Sequence, residues 1–176
     1  MLIDAHCHLQ FAAFNKDKDE VIKRALAHNV WLINVGSQKD TSRKAVEIAG
    51  QYSEGVYATV GLHPVHTQKS YYDPKEIGGD AGFVSRQEEF DYEFYKNLAQ
   101  NPKVVAIGET GLDYYRIRNP RSRASALRGR HELGIKEKQK EIFIQHIKLA
   151  YEIKKPLMIH CRDAFADLIE ILNSKS

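Results

Sequence analysis

Two histidines one residue apart, His6 and His8, close the first apolar run of the chain, Leu2-Ile3-Asp4-Ala5-His6-Cys7-His8. In an extended strand alternate side chains share a face, so both imidazoles point the same way, together with Leu2 and Asp4. Two imidazoles so placed can reach one divalent ion, although polar residues ending an ordinary strand look the same. Other residues of ligating type recur in matching positions. His63 follows Val60-Gly61-Leu62, Glu109 follows Ile107-Gly108 with Asp113 four residues on, and His160 ends Leu157-Met158-Ile159. Three imidazoles and a carboxylate suit zinc, manganese or another first-row divalent ion, and a carboxylate can also bridge two metals. Singly, each has a plainer alternative: a turn carboxylate at 109, a loop-shaping histidine before Pro64, a buried hydrogen-bonded histidine at 160.

These residues need elements that bring them together. Apolar runs predict strands over Leu2–His6, Val30–Val35, Gly55–Leu62, Val104–Gly108 and Pro156–His160. Between and after them, helices are predicted over Lys18–His28, Thr41–Tyr52, Gln87–Asn101, Ile135–Lys154 and Ala164–Leu172. In the fourth helix Phe143, Ile147, Ala150 and Tyr151 fall on one stripe, and Asp163 is placed to cap the fifth. Strands alternating with helices imply parallel strands and right-handed crossovers. The fold class is therefore α/β. Every candidate ligand lies at the carboxyl end of a strand, and in a parallel barrel those ends converge on one mouth. His28, His131 and His146 lie elsewhere and read as surface or structural residues. Two long interruptions, His63–Arg86 and Asp113–Gly134, follow strands directly, where such folds carry their chemistry.

The formal charge of +3 is unevenly placed. Between Tyr114 and His131 lie arginines 116, 118, 121, 123, 128 and 130 and no acid, and without them the charge would turn negative. Such a run can meet backbone phosphates without reading sequence, and Tyr114 and Tyr115 can stack on an unpaired base; a solvated insertion is the alternative. Cys7 and Cys161 are the two cysteines, which excludes a disulfide framework or a zinc ribbon, and both read as small packing residues. The first residues lack the pattern of a signal peptide and no run is long enough to span a membrane, so a cytoplasmic location is expected.

DAHCHL, VGLHP, IGETGLDYYR and KPLMIHCRDA, in this order, resemble the TatD family of metal-dependent deoxyribonucleases in the amidohydrolase superfamily. The resemblance implies a TIM-type (β/α)8 barrel holding two divalent ions (Mg, Mn or Zn). By motif, His6 and His8 would bind one ion, Glu109 would bridge both and carry the catalysis, and His160 would bind the second. His63, Asp113 and Arg162 fall in matching segments and take outer-sphere or substrate-contact roles, with Arg116 a further substrate contact from the arginine run. Gln10 stands where relatives often carry aspartate. Many superfamily members bridge their metals with a modified lysine; Glu109 at that strand end favours the nuclease-like branch.

At 176 residues the chain forms one domain of about five β/α units, whereas an eight-unit barrel typically needs ~200 residues or more. The histidine and aspartate that relatives place after their sixth and eighth strands have no counterpart, so the sheet is expected to stay open at its first and fifth strands. The expected function is hydrolysis of DNA, single-stranded or at its ends, by metal-activated water, with a second chain as a possible partner completing the barrel. This chain alone is expected to be inactive or weakly active. Two alternatives stay open: metal-dependent hydrolysis of small esters, amides or aminoacyl-tRNA, and a non-catalytic nucleic-acid-binding fragment.

Overall fold

Short runs rich in Val, Ile and Leu become strands, and amphipathic runs between them become the helices that cover one sheet face. In chain order the elements are β1 (Leu2–Cys7), α1 (Lys18–Ala27), β2 (Val30–Val35), α2 (Lys39–Gly50) and β3 (Val56–Val60). A two-stranded antiparallel ribbon, β4 (Tyr71–Tyr72) and β5 (Phe83–Val84), follows. Then come α3 (Tyr92–Ala99), β6 (Val104–Asp113), α4 (Ser125–Ile153), β7 (Leu157–Arg162) and α5 (Phe165–Lys175). The computed structural model describes residues 1–69, 71–72, 83–84, 86–115, 117 and 125–175. Among the described residues, no helix is long and apolar enough to cross a membrane.

The large sheet has five strands in the order β1-β2-β3-β6-β7, every adjacent pair parallel. It curls as part of a barrel, the fold class expected from the sequence. Among the described residues β1 and β7 each have one neighbour in this sheet, and Leu2 is 70% exposed and Ile3 54%. Cys161 on β7 is exposed too, which corrects its reading as a packing residue: an edge strand has nothing to pack it against.

Two clusters fix the sheet to its helices. In the larger, Ile22, Val46, Ile48, Ala49, Tyr95, Ala99, Ile142 and Leu149 of four helices bury against Leu32, Val56, Ala58, Val60 and Val104. The second joins Leu112, Tyr114 and Ile117 to Ile135 and Phe143 of α4 and Leu168 and Ile171 of α5. It anchors the far end of β6.

Several boundaries differ from the sequence expectation. The third helix is shorter because residues 86–91 are tied down outside it: the Glu88 amide donates to the His66 carbonyl, its carboxylate accepts from the Lys39 amide, and Asp91 caps the helix by accepting from the Phe94 amide. The fourth helix is longer, so the second interruption is already helical from Ser125. Asp163 does not cap α5; it sits at φ 56°, and the Ala164 carbonyl accepts the first helical bond from Leu168. Tyr151 is 87% exposed and leaves the expected stripe; the buried face of the helix keeps Phe143 and Ala150 and adds Gln139 and His146.

His146 illustrates what that stripe does. Fully buried, it donates from Nδ1 to the Ile142 carbonyl (2.8 Å), so its Nε2 accepts the Leu62 amide proton (3.0 Å). Burial pushes its pKa down to about 4. The unfolded chain therefore takes up this proton near pH 6.5 and the folded one does not, so stability is full above that value and falls as pH drops towards 4. Between pH 6.5 and 5 this costs about 2 kcal/mol. Urea unfolding of His146→Gln should show that much less acid sensitivity than the parent; parallel slopes would show that the histidine is not the cause.

Candidate metal centre

The site forms where β6 outruns its neighbour. β3 stops at Val60, level with Ile107, while β6 continues to Asp113 paired only with β7. A Cβ on Gly61 would come within 2.8 Å of the Gly108 Cα, so two glycines let these strands close in just below the mouth. The Glu109 amide then donates to the Gly36 carbonyl at the end of β2 (3.0 Å). Gly111, at φ 139°, lies against the His160 carbonyl with no room for a side chain. Glu109 thus sits inside β6 rather than after it, at the level where the other strands end.

Around the Glu109 carboxylate the structure brings together His6, His8, His63 and His160. Oε2 lies 3.3 Å from His6 Nε2, and Oε1 lies 3.1 Å from His160 Nδ1 and 3.5 Å from His63 Nε2. His6 Nε2 and His8 Nε2 are 3.2 Å apart. Two groups of ligand-type atoms result, His6-His8-Glu109 and His63-Glu109-His160, each with its atoms within 4.8 Å of one another. The carboxylate is common to both.

Hydrogen bonds to the rings decide what each imidazole can offer. His8 Nδ1 donates to the Val35 carbonyl (2.9 Å), which leaves the Nε2 lone pair facing His6 and Glu109, the tautomer a metal ligand needs. Burial lowers its pKa and favours that neutral form. His63 is arranged oppositely. Its Nδ1 accepts the Val65 amide proton (3.2 Å), so Nε2 carries the hydrogen and points at Glu109. Its lone pair is used within the loop, and the ring serves as a donor. His160 lies between two carboxylates, Nδ1 at Glu109 and Nε2 at Asp113 Oδ2 (3.1 Å). Burial alone would lower its pKa, but the bonds to Asp113 and Glu109 raise it to about 9. Desolvation likewise works against Glu109, yet bonds from His160 and His63 hold its carboxyl well below the usual range. The donor set is His6 and His8 on one side of an ionised carboxylate and His160 on the other, which fits a first-row divalent ion.

Asp113 is 1% exposed and holds His160 by its outer nitrogen, the arrangement by which carboxylates orient ligating histidines. Arg162 lies outside this cluster: its guanidinium stacks 3.6 Å over the Tyr115 ring. Tyr115 is 41% exposed, so one face of the ring is covered by Arg162. Tyr114 is not available for stacking, which corrects the sequence reading; it is buried, with its hydroxyl donating to Asp167 (2.7 Å) and Lys136 over its ring. Arg116 lies outside the described residues, as do arginines 118, 121 and 123. Gln10 is buried, its Nε2 donating to the same Val35 carbonyl as His8. Sequence reasoning assigns nothing to Gln139 and misses the Val35 carbonyl; a buried glutamine on an apolar helix stripe is a signal for the first, whereas a backbone acceptor leaves none.

A model of TatD-related DNases matches residues 3–176. The chain is 36% identical over 176 residues to the uncharacterized metal-dependent hydrolase YabD of Bacillus subtilis, covering 99% of this chain and 56% of that protein. It is 30% identical over 172 residues to the 3'-5' ssDNA/RNA exonuclease TatD of Erwinia tasmaniensis, covering 97% of this chain and 54% of that one. The crystal structure of the TatD homolog YJJV from Escherichia coli superposes with a TM-score of 0.68 at 22% identity, over 99% of this chain and 56% of its own. The chain thus spans a little over half the length of the relatives it matches.

Asp113→Asn keeps the shape of the buried side chain but removes its charge. It should weaken binding of Mn2+, measured by calorimetry, roughly 10- to 100-fold. An unchanged affinity would show that Asp113 does not act on His160.

Proposed function

The chain belongs to the TatD-related DNase family, and on that basis we propose that it hydrolyses phosphodiester bonds in single-stranded DNA with the help of divalent ions. The observation that carries the reading is the meeting of Glu109 with His6, His8, His63 and His160 at one end of the sheet. His6, His8 and Glu109 would hold one ion, and Glu109 with His160 would contribute to a second; imidazole and carboxylate suit manganese or zinc, and magnesium with more water. Bound there, a divalent ion supplies Lewis acidity, polarising a phosphoryl group and acidifying water.

The protein's own groups do the rest. Glu109 stays ionised and faces both ligand groups, one oxygen to each. His63 presents an N–H to that carboxylate and fixes its rotation, while Asp113 does the same for the His160 ring. Nothing in this set is placed as a covalent nucleophile. Arg162, two residues after His160 on β7, offers a planar fork to a backbone phosphate, and the open face of Tyr115 suits an unpaired base. That pair favours nucleic acid over a small ester, and the name of the Erwinia tasmaniensis relative points the same way.

Because the chain spans a little over half the length of its relatives, the test uses a full-length relative carrying the same residues: with Mn2+ or Mg2+ it should cleave a labelled single-stranded oligonucleotide, chelator should stop it, and this chain alone should cleave weakly or not at all. Glu109→Gln should slow cleavage about a hundredfold. Turnover of a nitrophenyl ester with the oligonucleotide untouched would replace this reading with ester hydrolysis. Arg162→Ala should raise KM several-fold and flatten the salt dependence of binding by about one phosphate contact. A variant with unaltered KM and salt slope would remove Arg162 from the substrate path.

A further inference from the structure

Helix α4 carries a second buried polar side chain on the stripe that bears His146. Gln139 is 1% exposed, two turns earlier, and its carboxamide makes three hydrogen bonds. Oε1 accepts the Asp113 amide proton (2.9 Å), while Nε2 donates to the Asp113 carbonyl (3.2 Å) and to the Pro64 carbonyl (3.3 Å). The next amide, Tyr114, donates to Arg162 of β7, so the polar groups of Asp113 face the other way, towards where β3 would be. β3 has ended by then. The carboxamide occupies the place of the missing strand, offering one acceptor and one donor to Asp113 as a neighbouring peptide would. Its second N–H ties this to Pro64, the residue after His63.

We infer that Gln139 is a positioning residue of the metal centre: it joins the two groups that aim Glu109 and His160 from outside, His63 and Asp113, into one rigid unit. The inference rests on the metal-dependent reading above. A buried amide with all three partners satisfied holds its neighbours far more tightly than apolar packing could, because each bond lost leaves a buried group unpaired.

The test is Co2+ titration of the full chain followed by visible absorption, with amide hydrogen exchange at Asp113 read in metal-free protein. Gln139→Met removes all three bonds at nearly constant volume. It should weaken Co2+ binding about tenfold or more, alter the absorption band and speed Asp113 exchange. Leu149→Val trims the core on the same helix and should leave affinity and band as in the parent. Should the methionine variant not fold, Gln139→Asn, one methylene too short to span Asp113 and Pro64, should change the same readouts in the same direction. Glutamine variants that match the parent, or that lose no more affinity than Leu149→Val, overturn the inference while leaving the metal centre standing. A parent chain that binds no Co2+ overturns both.

Discussion

A carboxylate taken out of water must be repaid in charge and hydrogen bonds, and Glu109 sets that demand at the centre of this structure. It is 9% exposed, and the partners placed at its oxygens are imidazoles rather than lysine or arginine. A lysine or arginine would neutralise it permanently. An imidazolium neutralises it conditionally, since it can give up a proton and present a lone pair in its place. The same cluster is therefore closed as a hydrogen-bonded network while being built from residue types that divalent ions take as ligands. His160 shows the exchange most clearly, held as a cation between Glu109 and Asp113 by the bonds it makes to both.

The fold is organised to deliver that carboxylate. Parallel strands bring residues far apart in the chain to one rim, but the rim is not level. β6 runs beyond β3, and the exposed stretch of its edge is served by a glycine contact below, the Gly36 carbonyl beside Glu109 and the Gln139 amide above. The second apolar cluster, which holds Leu112 and Tyr114 against α4 and α5, keeps this extension from fraying. Ligand geometry and core packing are coupled through one strand.

Much of this was legible in the residues. Parallel order followed from alternation of apolar runs with amphipathic ones, and the shared mouth from finding His6, His8, His63, Glu109 and His160 after such runs. What the pattern could not show was contributed by partners far off in the chain. Gly108 and Gly111 look like a strand terminator, yet the strand passes through both because Gly61 and the β7 backbone approach too closely for side chains. Tyr114 and Tyr115 look equivalent, and only the position of Asp167 and Arg162 separates a buried hydrogen-bonded ring from an exposed stacked one. Tyr151 continues an apolar spacing but falls just past the stripe, because the helix faces the sheet through Gln139 and His146 as much as through its hydrocarbon residues.

The order of strands places His6 on one outer strand, with His8 just past its end, and His160 on the other, with Glu109 next to the latter. On a flat sheet β1 and β6 would stand roughly 14 Å apart, three strand spacings, yet His6 and Glu109 nearly touch. The reach of the two side chains covers part of the difference, and the bend of the sheet the rest. The cluster works as a clasp across a bent sheet: whatever draws these side chains together bends it further, and whatever relaxes the bend separates them first at the outer strands. Contact between side chains of the first and fourth strands of the sheet is thereby a direct gauge of how far the backbone is bent.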